Sequence, residues 1–196
     1  MLIVILNTGC ANIYSVKTII HKLGYKPIVS SDYNTILNAD KLLIPGIGTA
    51  SLVMNNVKTY MLVNIIKAFP KPILGICLGM QLLSLSSKEG LSIKTIGIID
   101  NQTEQLSNYG KHIPHIGWNK VIHQNKDLLF KGIENGSYFY FVHSYSVPLC
   151  ISNIASSIYG DLFTAAFKIN SFFGVQFHPE RSGILGKQLL RNFLEL

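Results

Sequence analysis

The chain has 196 residues and a net charge of +7, with 48% of its residues hydrophobic and only 14% charged. That composition excludes disorder, collagen-like and coiled-coil chains, and a chain of this size buries roughly 70% of its unfolded surface around one core. The basic residues are nearly all lysine and are scattered from Lys17 to Arg191 without a run of three, which reads as a solvated surface rather than a nucleic-acid footprint.

The first half alternates strand and helix. Leu2–Leu6 is a short apolar run of the kind found in a central parallel strand. It lacks the basic lead and length of a secretory core, so MLIVILNTGC is not read as a lipoprotein signal ending at Cys10. Asn12 is placed to cap a helix running to Leu23, with Ile13, Val16, Ile20 and Leu23 on one face, and Gly24 stops it. Strands are expected at Pro27–Val29 and at Leu42–Ile44, the latter ended by Pro45-Gly46. A helix, broken in its course, is expected over Leu52–Ala68, then a buried strand at Pro72–Ile76 and a helix over Gly79–Ser86. After Gly90 the pattern changes to short strand-like segments at 95–100, 112–122, 137–145, 154–159, 163–168 and 172–177, which predict antiparallel hairpins. A last helix covers Ile184–Leu194. The pattern predicts a single α/β domain over residues 1–196, with a mostly parallel central sheet flanked by helices and added antiparallel strands. In such a sheet ligands sit beyond the carboxyl ends of the parallel strands.

Three cysteines, Cys10, Cys77 and Cys150, give neither a disulfide framework nor metal-ligand spacing, and fit a reducing, cytoplasmic setting. No apolar run approaches the roughly 20 residues of a membrane span. Cys77 stands out. Gly75-Ile76-Cys77-Leu78-Gly79 lies between a strand and a helix, the setting of a nucleophile elbow with sulfur in place of a hydroxyl. The tight turn crowds its neighbours, so both flanks are small, and the helix start favours a thiolate. For Cys10 and Cys150 the ordinary reading is a buried structural thiol.

A nucleophile of this kind needs a base. In Phe177-His178-Pro179-Glu180, residues two apart point the same way if the segment is extended. Glu180 can then hold one ring nitrogen of His178 and leave the other for the thiol. Of the six histidines only His178 has a carboxylate two residues away. The competing metal reading lacks an HExxH pattern or a cysteine pair. A P-loop is absent, and Gly46-Ile47-Gly48 is too short for a dinucleotide fingerprint. Neither metal nor cofactor is called for. Acyl transfer also needs N–H groups aimed at an oxyanion. Leu78 supplies one; Pro45-Gly46-Ile47-Gly48 is the candidate for the second, its glycines allowing a peptide at Ile47 to rotate.

At this point the residues resemble a family. GICLGMQLL with FGVQFHPERSG is similar to the class I, triad-type glutamine amidotransferases, in family order across nearly the whole chain. The stretches Pro114–Asn119 and Tyr138–Tyr145 resemble, within that family, the glutaminases that serve imidazole glycerol phosphate synthases in histidine biosynthesis. The resemblance implies Cys77, His178 and Glu180 as the catalytic triad and a γ-glutamyl thioester intermediate. It implies glutamine as substrate, contacted by Gly48, Gln81, Ser144 and Tyr145, and ammonia passed to a (β/α)8-barrel cyclase subunit in a heterodimer. Asn12, Trp118, Tyr140 and Arg181 match positions facing that cyclase. Taken alone, Trp118 is either a core plug or an interface anchor. The family's first turn usually reads Asp-Tyr-Gly-x-Gly-Asn; here Asn7-Thr8-Gly9-Cys10-Ala11-Asn12 lacks its acid, its aromatic and one glycine. Two other readings stay open from the sequence. One is a non-catalytic docking subunit. The other is a different amidotransferase or γ-glutamyl hydrolase on the same scaffold.

Overall fold

The computed structural model describes residues 1–9, 12–59, 61–90, 92–107, 109–124 and 127–196. The chain opens with alternating elements: β1 (Ile3–Leu6), α1 (Ile13–Lys22), β2 (Ile28–Ser30), α2 (Tyr33–Leu37), β3 (Lys41–Gly46), α3 (Ala50–Thr59), α4 (Leu62–Ala68), β4 (Ile73–Cys77) and the one-turn α5 (Leu78–Gln81). Strands then follow, with a 3-10 turn among them: β5 (Ser84–Ser87), β6 (Ile93–Lys94), β7 (Ile99–Gln105), β8 (His115–Lys120), β9 (Ile122–His123), the 3-10 turn (Leu128–Phe130), β10 (Tyr138–His143), β11 (Tyr145–Ser146), β12 (Asn153–Tyr159), β13 (Asp161–Ile169) and β14 (Phe172–Val175). The helix α6 (Gly183–Leu194) closes the chain.

The main sheet has the order β2-β1-β3-β4-β14-β13-β12-β9. Pairings from β2 to β14 are parallel and those beyond β14 antiparallel. Smaller sheets join β8 to β10 and β11, β7, β5 and β6 to one another. The central strands are buried at every residue because both faces are covered. Ile3 and Ile5 pack with Val16 and Ile20 of α1 and Leu189 and Phe193 of α6, whereas Val4 and Leu6 pack with Ile36 of α2, Val53 of α3 and Ile66 of α4. That two-sided burial is why these strands read as unbroken apolar runs.

Helix α1 stops as expected. The Gly24 N–H donates to His21 O and the Tyr25 N–H to Ile20 O, the paired bonds of a Schellman cap, with Gly24 at φ +91°. Asn12 occupies the N-cap position but makes no side-chain cap bond, its backbone lying at φ −76°, ψ 56°, outside the extended geometry that aims a capping side chain back at the helix. The long helix is broken at Met61, in the left-handed region at φ 55°, giving α3 and α4.

Helix α2 has no counterpart in the sequence reading, the segments expected at 112–122 and 137–145 each divide in two, and three further boundaries shift for reasons visible in the contacts. β3 runs on through Pro45 and Gly46, which pair with Ile76 and Cys77. Its pairing with β1 ends at Leu43, so a residue without an N–H is tolerated where one side has no partner. The helix expected over 79–86 ends at Gln81. Ser84 donates its hydroxyl to Gln81 O at 2.6 Å and to Ser86 O at 3.0 Å, and such side-chain bonds compete with helix; β5 follows instead. The strand expected at 95–100 is split, with Ile96, Gly97, Ile98 and Ile99 N–H groups donating back to Leu82–Ser84 carbonyls and the polar β7 continuing to Gln105.

Candidate active site

The parallel strands β3, β4 and β14 end side by side, and their register brings together residues far apart in sequence. Gly46 pairs with Cys77, and Val175 with Ile76. The chain leaves β14 through Gln176 and Phe177 into His178. Cys77 ends β4 at φ 53°, ψ −112°, a strained backbone for a side-chain-bearing residue, and is 6% exposed. The crossing of β3 over the elbow explains the glycines. A Cβ on Gly79 would lie 1.7 Å from Ile44 O, and one on Gly46 would lie 2.8 Å from both Gly79 N and Leu78 Cβ. Gly46 is therefore required for close approach, not for rotation. The conformational freedom expected of this loop rests on Gly48 alone, at φ +94° with open space around it.

His178 and Glu180 meet, but not along the extended segment that the spacing assumed: Pro179–Arg181 is a 3-10 turn, across which the His178 Nδ1–H donates to Glu180 Oε1 at 2.8 Å, with the Glu180 side chain 1% exposed. Burial alone would lower the pKa of His178. The charge of Cys77 and its hydrogen bond, then the hydrogen bond and charge of Glu180, outweigh that and raise it to about 10. The imidazole stands between sulfur and carboxylate, held as a cation at neutral pH. Glu180 Oε2 is buried without a hydrogen-bond partner among the described residues, so this carboxylate leans on His178. The helix α5 has only four residues, so the dipole at its start is weaker than that of the longer helix expected from the sequence.

Cys77 and His178 line a cavity of about 540 Å3. Ile47, Gly48, Leu78, Gln81, Ser144, Tyr145, Asn12 and Arg181 also line it, together with Glu89 and His143. Of the residues singled out from the sequence, Glu180 sits behind His178, and Trp118 and Tyr140 lie apart from the cavity on the outer face of the β8–β10 pair. There Trp118 is 55% exposed, so it is not a core plug. Its ring meets Tyr140 edge-to-face, centroids 5.9 Å apart. In the first turn, the Gly9 N–H donates to Asn7 Oδ1 at 3.1 Å and Asn56 Nδ2 to Thr8 O at 2.6 Å; Cys10 and Ala11 lie outside the described residues. Cys150 is partly buried, accepting the Thr164 hydroxyl at 3.8 Å.

Sequence reasoning missed four groups. Gln176 is fully buried, donating Nε2–H to Cys77 Sγ at 3.6 Å and accepting from Gln81 Nε2 at 3.0 Å. Its signal was a lone amide in the apolar run FGVQF. Ser182 ties His178 to the outer strand. The Tyr140 N–H donates to Ser182 Oγ at 3.0 Å, the Ser182 hydroxyl donates to His178 O at 2.7 Å, and the His178 N–H donates to Tyr140 O at 2.8 Å. Glu89 accepts from the Ala50 N–H at 2.6 Å, pinning the loop after Gly48. His143 forms a buried pair with His115, Nδ1 of His115 lying 3.0 Å from Nε2 of His143. Burial first, then the charge of Lys111, lowers His115 to about 4; burial, then the charges of His115 and His178, lowers His143 to about 3. Both rings are neutral.

Buried thiol, imidazolium and carboxylate, aligned below an amino-acid-sized cavity, suit nucleophilic acyl transfer. A family model described as "Glutamine amidotransferase class-I" matches residues 4–196. The imidazole glycerol phosphate synthase subunits HisH of Pectobacterium atrosepticum and of Escherichia coli K12 are each 52% identical to this chain over 196 residues, spanning all of both chains. The fold is similar to the crystal structure of a glutamine amidotransferase from Thermotoga maritima, with a TM-score of 0.69 at 15% identity, covering 100% of this chain and 83% of that one.

Proposed function

The chain belongs to the class-I glutamine amidotransferase family, and from that premise we propose that it is the glutaminase subunit of an imidazole glycerol phosphate synthase, acting in histidine biosynthesis in the cytoplasm, with residues 1–196 forming one glutaminase domain. The observation that carries the reading is Cys77 and His178 at the wall of the cavity with Glu180 behind His178.

Cys77, as thiolate, attacks the γ-amide carbon of glutamine. The developing oxyanion takes the N–H of Leu78 and the N–H of Ile47, the two peptides flanking the Gly46–Cys77 crossing. Loss of one such donor typically costs about 3 kcal/mol of transition-state stabilisation. The imidazolium of His178 gives its proton to the departing nitrogen, ammonia leaves, and a γ-glutamyl thioester remains on Cys77. His178, now neutral, takes a proton from water as that water attacks the thioester; glutamate leaves and the thiolate–imidazolium pair is restored. Glu180 holds Nδ1–H throughout.

The rest of the cavity fits an amino acid. Both protons of Gln81 Nε2 are engaged, with Tyr145 O at 2.7 Å and Gln176 Oε1 at 3.0 Å, so Gln81 offers substrate its Oε1, an acceptor. Glu89 offers a carboxylate to the α-ammonium group. Ser144 and the peptides of Tyr145 and Gly48 supply donors for the α-carboxylate.

The ammonia passes to a barrel cyclase subunit that makes imidazole glycerol phosphate and the aminoimidazole carboxamide ribotide by-product. The exposed Ile116, Trp118 and Tyr138 with Tyr140 form the aromatic face on which it docks, while Asn12 and Arg181 meet it at the cavity mouth. Glutamine hydrolysis by the full chain, alone and with the cyclase and its ribonucleotide ligand, tests the reading. Slow release of ammonia alone and fast release in the complex support it; full-rate hydrolysis alone, unchanged by cyclase, contradicts the partner dependence.

A further inference from the structure

A backbone carbonyl can only accept, and the carbonyl of Tyr145 accepts twice, from Gln81 Nε2 at 2.7 Å and from His143 Nδ1 at 2.9 Å. That fixes the direction of every hydrogen bond reaching back from it toward the nucleophile. Gln81 must present its nitrogen to Tyr145. The second proton of that nitrogen then goes to Gln176 Oε1, so Gln176 must turn its own nitrogen toward Cys77 Sγ, 3.6 Å away. Were either amide reversed, two donors or two acceptors would face each other in a place where Gln176 is 0% and Gln81 5% exposed, at full desolvation cost.

The other side of the carbonyl is equally directed. Nδ1 of His143 carries its proton, so its Nε2 accepts from His115 Nδ1–H, and His115 Nε2 accepts from Asn119 Nδ2 at 3.4 Å. Asn119 is itself oriented, its Oδ1 taking the Lys120 N–H at 2.8 Å and its Nδ2 donating to Ile158 O at 2.9 Å. The backbone of Gln176 is fixed too, its N–H donating to Ala165 O at 2.8 Å.

Among the described residues, two groups besides His178 lie within hydrogen-bond reach of the sulfur. Val142 O, at 3.6 Å, accepts from the thiol and so favours the protonated form. The Gln176 N–H favours the thiolate. Resting on the reading of Cys77 as nucleophile, we propose that Gln176 is a positioning residue for that nucleophile: a relay of fixed polarity, anchored at the Tyr145 carbonyl, holds its amide N–H on Sγ, supports the negative charge and keeps the sulfur on its line of attack once the proton has gone to His178. Gln176 thus offsets Val142, and the reactivity of Cys77 depends on a residue that touches no substrate.

The test is the pH profile of Cys77 alkylation by iodoacetamide in the full chain, resolved by peptide mass spectrometry so that Cys10 and Cys150 are counted apart. Gln176→Met keeps the length and removes the donor; a hydrogen bond to a charged group is worth enough to move the midpoint of the profile upward by about one pH unit. Gln176→Glu places a carboxylate on the sulfur and moves it further in the same direction. In glutamine hydrolysis by the complex, both lower kcat roughly tenfold or more with KM little changed, since the substrate contacts remain. A folded Gln176→Met chain with the wild-type profile overturns the proposal. Should that variant precipitate, Gln81→Met carries the same test: it leaves Gln176 in place but removes the donor that orients it, and a smaller upward movement is expected, an unmoved profile again being fatal. Wild-type chain that alkylates at Cys77 yet never hydrolyses glutamine, even with cyclase, would instead count against the glutaminase reading.

Discussion

Acidifying the protein from pH 6 to 4.5 should destabilise it through its buried neutral histidines. His115 and His143 have native pKa values lowered to about 4 and about 3, chiefly by burial. The unfolded chain binds protons there at the ordinary value near 6.5. Below that value the unfolded state holds more protons than the native state, so stability falls as pH falls, until the native pKa is reached. Across the interval each ring costs about 2 kcal/mol, a large share of the roughly 5–15 kcal/mol of a typical domain. His123, also lowered mainly by burial, adds to the same slope. His178 does not: its pKa is raised, so in this interval both states carry its proton, and its contribution is lost only as pH rises through about 10. Asp32 and Asp40, lowered by hydrogen bonds from Thr35 and Lys71, act below the interval. The isolating variant is His115→Gln, whose amide can donate to His143 Nε2 and accept from Asn119 while removing one titrating ring. Urea unfolding followed by circular dichroism at pH 6.0 and 4.5 should show His115→Gln losing about 2 kcal/mol less than wild type. Parallel losses in the two proteins would refute the exclusion of protons from this pair.

Gly79→Ala forces a carbon to within 1.7 Å of Ile44 O; β3 must separate from the elbow, at a cost of about 3 kcal/mol or more in urea unfolding, with loss of glutaminase activity. His178→Asn should cut thioester formation by about 10²–10⁴-fold, read by rapid quench and mass spectrometry. Glu180→Gln should cost less, because an acceptor for Nδ1–H remains. It removes the charge that helps to raise His178, so the alkaline limb of the kcat/KM profile should move to lower pH.

Much of the site was legible because its chemistry is local. The elbow is written in five consecutive residues after an apolar run, and His178 reaches Glu180 two positions on. What was not legible depends on register between distant strands. Gln176 matters because β14 lies beside β4, which puts the residue after Val175 level with Cys77, and no spacing within FGVQF states that neighbour. Ser182 bridges His178 O and the Tyr140 N–H, 42 residues earlier in β10, and Glu89 reaches the loop after Gly48 from beyond the end of β5. The helix expected after the elbow failed for a physical reason that only the contacts reveal: Ser84 finds Gln81 O, Ser86 O and Thr103 Oγ1, and a serine-rich segment so supplied prefers a strand. The polar β7 escaped notice because strand reading follows apolar alternation, whereas β7 is held between β5 and β11 by its ladders, with only Ile99 and Thr103 buried.

The most direct measurement is covalent trapping at the nucleophile. An electrophilic glutamine analogue should add one equivalent to the full chain, on Cys77 alone among Cys10, Cys77 and Cys150, faster when the cyclase and its ligand are present and not at all in Cys77→Ser. Label on another cysteine, or undiminished labelling of Cys77→Ser, would contradict the assignment of Cys77, His178 and Glu180 as one catalytic unit.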